Sequence, residues 1–139
     1  MDPRGETIVS GFSRPSDRHI GLDMEAAMTE YCQLTQYCQV LTTVGTRVAA
    51  DALGRDAVEG RLAACAQVTG PITSTYWWQG VVETAEEWQV VFKTTAERYP
   101  ALAAQIRTQH EYDVPEILCL PVVDGNPAYL AWISDQTSG

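Results

Sequence analysis

The hydrophobic patterning of this chain predicts an α+β domain. Strands and helices run in the order β-α-β-β-α-β, and a further helix ends the chain. Three observations carry that expectation. Strand-like stretches alternate with stretches of helical period. Two long strand-like stretches face each other across a turn at Gln79-Gly80. The length of 139 residues fits one domain and is short for two cores.

The elements follow in order. Residues 1–36 read as an N-terminal extension, rich in Gly, Pro, Ser and charge and without sustained periodicity. Within it Leu22 to Tyr31 has room for a short helical turn or two, and Met24 or Met28 would serve as a native start. Residues 37–135 form the folded domain and 136–139 a tail. Gln39 to Thr43 alternates and reads as the first strand. Thr46 to Arg61 reads as a helix: Ala49, Ala50, Leu53 and Ala57 share one face, while Arg47, Asp51, Arg55 and Glu59 form an i,i+4 charge ladder. Its small apolar residues predict close packing on a sheet, and Gly60 helps to stop it.

Ala63 to Trp78 is a long strand interrupted at Gly70-Pro71, where the missing N–H predicts a bulge or an edge position. Val81 to Thr95 runs back with Trp88, Val90 and Phe92 on one face. Both faces of this hairpin are partly apolar, more than one helix covers, so another subunit is the natural cover. A second helix opens near Pro100, with Tyr99, Leu102, Ala103, Ile106 and His110 on its buried face. Ile117 to Val123 is the next strand. Asn126-Pro127, cap then first position, starts a terminal helix through Ile133. This order is the ferredoxin-like split βαβ sandwich, with helices on one face of an antiparallel sheet.

Composition narrows the function. A formal net charge of -9 argues against a nucleic-acid partner, which needs clustered Lys and Arg. No apolar run is long enough to span a membrane, and the N-terminus lacks the apolar core of a secretory signal, so a cytoplasmic location is expected. Cys32, Cys38, Cys65 and Cys119 are irregularly spaced, with no C-x-x-C pair, which points to free thiols in a reducing compartment. No Gly-rich phosphate loop, nucleophile elbow or H-E-x-x-H helix occurs, so the chain does not read as an enzyme.

Several stretches in register carry a resemblance: Arg61-Leu62-Ala63-Ala64-Cys65, Tyr76-Trp77-Trp78-Gln79-Gly80, Phe92-Lys93-Thr94-Thr95, His110 to Ile117, and Gly125 to Trp132. Over about residues 39–134 the chain resembles the CutA-type divalent-cation tolerance proteins. The resemblance implies a cytoplasmic homotrimer whose hairpins reach neighbouring subunits and close sheet edges between chains. It also implies a part in the response to divalent metal cations, copper above all, with no obligatory cofactor. The trimer also resembles the PII signalling proteins, which makes a small-molecule sensor or adaptor the competing function. Some members carry a Cys at the end of the first strand and a second His beside the one at 110. Thr42 and Gln109 stand there in this chain, and Glu111 replaces a frequent Pro.

Two metal-ligand candidates result. His110 suits copper and zinc, against the reading of a helix-terminal His that caps carbonyls. Cys65 suits copper(I), against that of a small buried residue. Cys119, between Leu118 and Leu120, reads as core filler, whereas Cys32 and Cys38 lie near the extension, where exposure and adventitious metal binding are expected. Trp78, Lys93, Tyr112, Glu116 and Trp132 match positions that recur in the family. They make a ligand-pocket candidate in which Lys93 and Glu116 pair beside aromatic rings in an intersubunit cleft. Its alternative is an ion pair with aromatic packing at a subunit boundary.

Overall fold

The computed structural model describes residues 35–139. The readings made for Leu22 to Tyr31, Met24, Met28 and Cys32 lie outside the described residues. Seven elements follow: β1 (Tyr37–Val44), α1 (Arg47–Glu59), β2 (Cys65–Trp78), β3 (Val81–Thr95), α2 (Tyr99–Gln109), β4 (Leu118–Val122) and α3 (Pro127–Thr137). The sheet order is β2-β3-β1-β4, and every neighbouring pair is antiparallel. β3 therefore lies between β1 and β2, the strands that α1 connects, which is the split βαβ arrangement the sequence predicts.

Alternation along the strands decides what is covered. On β1, Cys38, Val40, Thr42 and Val44 turn to the helices, and on β3 Val90 and Phe92 meet them there, both fully buried. Ala50, Leu53 and Ala57 of α1 and Leu102 and Ile106 of α2 complete this core. The expected close approach of α1 is seen at Gly54, where an added Cβ would stand 3.1 Å from the Ala66 Cβ. Thr46 caps α1 by accepting from the Ala49 N–H at 3.1 Å, and Asn126 caps α3 by accepting from the Ala128 N–H at 3.1 Å. The α1 ladder forms two exposed ion pairs, Arg47–Asp51 at 3.7 Å and Arg55–Glu59 at 2.9 Å. Pairs this exposed add little stability.

Gly70-Pro71 is both things the sequence offered: the register shifts between Thr69 and Ile72, and β2 is an edge strand. A Cβ at residue 70 would fall on the Trp88 indole, which explains the glycine. The turn residues Gln79 (φ 49°) and Gly80 (φ 78°) are both left-handed, as a two-residue hairpin of this twist requires. From Ile72 to Trp78, β2 pairs only with Glu87 back to Val81, whereas β1 begins to pair with β3 at Trp88. The hairpin thus leaves the sheet as a two-stranded ribbon.

The structure corrects three expectations. Cys38 is 2 % exposed, because strand parity turns it to the core beside Val40. His110 is not on the buried face of α2; it ends that helix in an extended conformation, ψ 141°, with its N–H bonded to the Ile106 carbonyl at 2.9 Å. The terminal helix runs past Ile133 to Thr137, taking in two residues read as tail. Its last carbonyls explain the extension, since Arg61 Nη1 donates to the Gln136 oxygen at 3.2 Å and Arg98 Nε to the Thr137 oxygen at 2.6 Å. Arg61 makes this reach from a left-handed backbone, φ 61°.

Candidate functional site

Lys93 lies on β3 opposite Gln39 of β1 and Cys65 of β2, and Gln39 is opposite Leu120 of β4. These four residues form a row on the sheet face away from Phe92 and Val40. The same face carries Tyr37, whose hydroxyl meets Ser134 Oγ of α3 at 2.7 Å. α3 therefore packs on the face that α1 and α2 leave open, at the end where Lys93 sits. There the Lys93 ammonium stands 5.7 Å from the centroid of the Tyr129 ring, within cation–π range. Tyr129 stacks on Trp132, with ring centroids 5.4 Å apart and planes at 29°. Both rings stay 40 % exposed. The result is an open ledge of two aromatic rings with one ammonium at its edge.

A second cluster sits at the other end of β1. The Tyr112 N–H donates to His110 Nδ1 at 3.0 Å, and His110 Nε2 lies 2.8 Å from the Thr43 carbonyl oxygen. A carbonyl only accepts, so Nε2 carries the proton and Nδ1 the lone pair. The ring is a neutral imidazole with both nitrogens in use. Tyr112 lies against it, ring centroids 4.7 Å apart, and donates its hydroxyl to Glu87 Oε2 at 3.1 Å. Glu87 is 2 % exposed at the root of the ribbon. A cleft of about 260 Å³ opens beside this cluster, lined by Val44, Gly45, Leu53, Asp56, His110 and Tyr112. A wider groove, about 740 Å³, runs between residues 95–98 and the end of α3 and holds none of the predicted site residues.

Of the predicted pocket residues, Lys93 and Trp132 share one ledge with Tyr129 between them, while Tyr112 lies against His110 at the other end of β1. Glu116 precedes β4, whose Leu118 faces Leu41, so it belongs to the Thr43 end of β1, more than about 10 Å along the strand from Lys93. Trp78 pairs with Val81 at the ribbon tip, roughly 40 Å along β3 from Lys93 at about 3.3 Å per residue. Cys65 shares the Lys93 row, away from His110. Among the described residues no three His, Cys, Asp or Glu side chains gather as a metal site. A cation at His110 has to displace the Tyr112 N–H or the Thr43 carbonyl. Cys119 packs against the core, as expected of filler. No helix among the described residues is long and apolar enough to cross a membrane.

Two residues at these clusters escaped the sequence reading. Tyr129 stands three residues before Trp132, a spacing that puts both on one helix face, and this was the available signal. Glu87 gave none, because Glu86-Glu87 reads as a solvated charged pair.

Comparison with known proteins agrees with this architecture. A family model for the CutA1 divalent ion tolerance protein matches residues 38–136. The divalent-cation tolerance protein CutA of Thermus thermophilus is 40 % identical over 98 residues, covering 70 % of this chain and 95 % of the relative. A CutA homolog of Xenopus laevis is 34 % identical over 127 residues, 91 % of this chain and 76 % of its own length. The chain spans 55 % of a chloroplastic CutA 1 of Oryza sativa and 48 % of the mouse CutA. Among solved structures, CutA from Synechococcus elongatus superimposes with a TM-score of 0.72 at 41 % identity, over 75 % of this chain and 92 % of that one. CutA1 from Oryza sativa gives 0.73 at 36 %, over 75 % and 95 %.

Proposed function

Because the chain belongs to the CutA1 divalent ion tolerance family, we propose that it works as a cytoplasmic, non-enzymatic homotrimer in the response to divalent metal cations. Copper or a similar cation binds at boundaries between subunits. The observation that supports this reading is the ribbon. A two-stranded hairpin is marginal in water by itself, yet this one carries Trp77, Val81 and Val82 at 57 %, 58 % and 52 % exposure. Leu118 and Leu120, 53 % and 42 % exposed, lie on the sheet face that α3 covers only in part. Neighbouring copies that cover both surfaces also bring a partner's ribbon tip, with its Trp78, to the rows that hold Cys65 and Lys93. Cation ligands then come from two chains, Cys65 or His110 joined by a neighbour's side chain.

Native mass spectrometry with and without copper tests the reading. We expect a trimer that takes up copper in steps of three and loses uptake in His110→Ala or Cys65→Ser. A monomer, or a trimer that stays metal-free at about millimolar copper, which corresponds to roughly 4 kcal/mol of binding, overturns it.

A second reading has its own observation. Both His110 nitrogens are engaged, while the Lys93–Tyr129–Trp132 ledge is open. In that reading the trimer is a sensor or adaptor of PII type that binds a small molecule at its clefts, and metals are incidental.

A further inference from the structure

We propose that the ledge of Lys93, Tyr129 and Trp132 binds a small aromatic monocarboxylate, its ring stacked on Trp132 and its carboxylate paired with Lys93. This rests on reading the cleft as a small-molecule site and names the chemistry of its ligand.

Lys93 is the sole lysine of the chain. In a protein of net charge -9, an anion meets repulsion over most of the surface. The one ammonium is held 5.7 Å from the Tyr129 centroid, where it projects beside the stacked pair. Trp132, a residue 40 % exposed whose ring is already stacked on one neighbour, can accept a second planar ring. Ring and charge thus arrive preset at adjacent positions, as a planar anion requires.

The charge of the ligand follows from what the ledge lacks. A phosphate is normally met by an Arg fork, a helix N-terminus or a Gly-rich turn as well as by lysine. Tyr129 does lie in the first turn of α3, but Pro127 has no N–H there and the Ala128 N–H is taken by Asn126 Oδ1. Arg61 and Arg98, the arginines that reach α3, donate instead to the carbonyls at its far end. One point charge matches one carboxylate; a dianion would leave a negative charge facing an acidic protein. The four-residue row of Cys65, Lys93, Gln39 and Leu120 supplies no further cation.

The experiment is a titration of the full-length protein with indole-3-carboxylate and its uncharged partner, indole-3-carboxamide, followed by ligand-observed NMR. Native mass spectrometry runs in parallel on every variant. We expect the carboxylate to bind at least about 10-fold more tightly than the amide. That preference should disappear in Lys93→Met, and binding of both probes should weaken in Trp132→Leu. Equal binding of the two probes, or a preference that survives Lys93→Met, overturns the proposal. All three ledge residues belong to one chain, so ligand binding and assembly are read separately. Binding by a monomer supports the ledge while sinking the trimer. An intact trimer that binds neither probe sinks the ledge and leaves the trimer standing.

Discussion

β3 is one strand with two fates. From Trp88 to Thr95 it runs in the middle of the sheet, between β1 and β2, with Val90 and Phe92 fully buried under α1 and α2. From Val81 to Glu87 its strand partner among the described residues is β2 alone, and Val81 and Val82 are more than half exposed. Both halves carry β-branched residues enough to be strand, although the outer one also carries Glu83, Glu86 and Glu87. The neighbours differ as well: among the described residues, helices finish the root and none covers the ribbon.

The largest effect is expected at the root. Phe92→Ala opens a cavity in the centre of the core and should cost about 3–5 kcal/mol. That is a large part of the 5–15 kcal/mol, roughly, that holds a domain folded. Urea unfolding at fixed protein concentration reads it, the concentration being fixed because assembly adds to apparent stability. A loss below about 1 kcal/mol would mean that the root is not the stable half.

The ribbon should answer differently. Trp77 and Val82 are cross-strand partners, and neither belongs to the core. Changing both to Ser should leave the far-UV circular dichroism and the fold nearly intact while the protein falls to single chains of 15.3 kDa in sedimentation. Each large apolar side chain buried at an interface contributes about 1.5–3 kcal/mol, and three copies lose it together. A double variant that sediments like the parent would show that the ribbon needs no neighbour, and the contrast between the two halves of β3 would lose its meaning.

Local pattern explains how much of this was readable. The strand parity of Val40 and Phe92, the Thr46 and Asn126 caps and the break at Gly70-Pro71 all depend on residues a few positions apart. Polar partners far along the chain leave no such trace. The Arg61 contact that extends α3 spans 75 residues, and the Thr43 carbonyl that occupies His110 is 67 away. Glu87 gave no sign of burial in the sequence, since its donor Tyr112 lies 25 residues on. In the candidate site, Lys93 and Trp132 were named from the sequence, and Tyr129 stands between them. Trp78 was legible too, but within one chain it stands at the wrong end of the strand.

The root of the ribbon sharpens the comparison, since there the chain does supply a partner. Tyr112→Phe removes the hydroxyl that donates to the buried Glu87 carboxyl at 3.1 Å. About 1–2 kcal/mol should be lost, the usual range for a buried hydrogen bond of this kind. Hydrogen exchange should quicken from Ile72 to Glu87 while the core strands keep their protection. Faster exchange everywhere would mean that the bond serves the whole domain and not the junction.

The smallest effect carries the opposite sign. Thr42 and Thr94 are both fully buried at the root, on adjacent strands that face the same helices. Thr94 Oγ1 donates to the Leu62 carbonyl at 2.6 Å, whereas Thr42 Oγ1 has no partner among the described residues. A buried hydroxyl without a partner has lost its hydration for nothing, and valine fills the same shape without that cost. Thr42→Val should therefore raise stability by about 1 kcal/mol, read as a melting temperature several degrees higher. Thr94→Val, the same chemical change, should lower stability by about 1–2 kcal/mol because it leaves the Leu62 oxygen short of a donor. If both substitutions destabilise equally, Thr42 has a partner, and the root is better satisfied than its geometry indicates. If they diverge in sign, the buried half of β1 carries an unmet polar atom among the described residues.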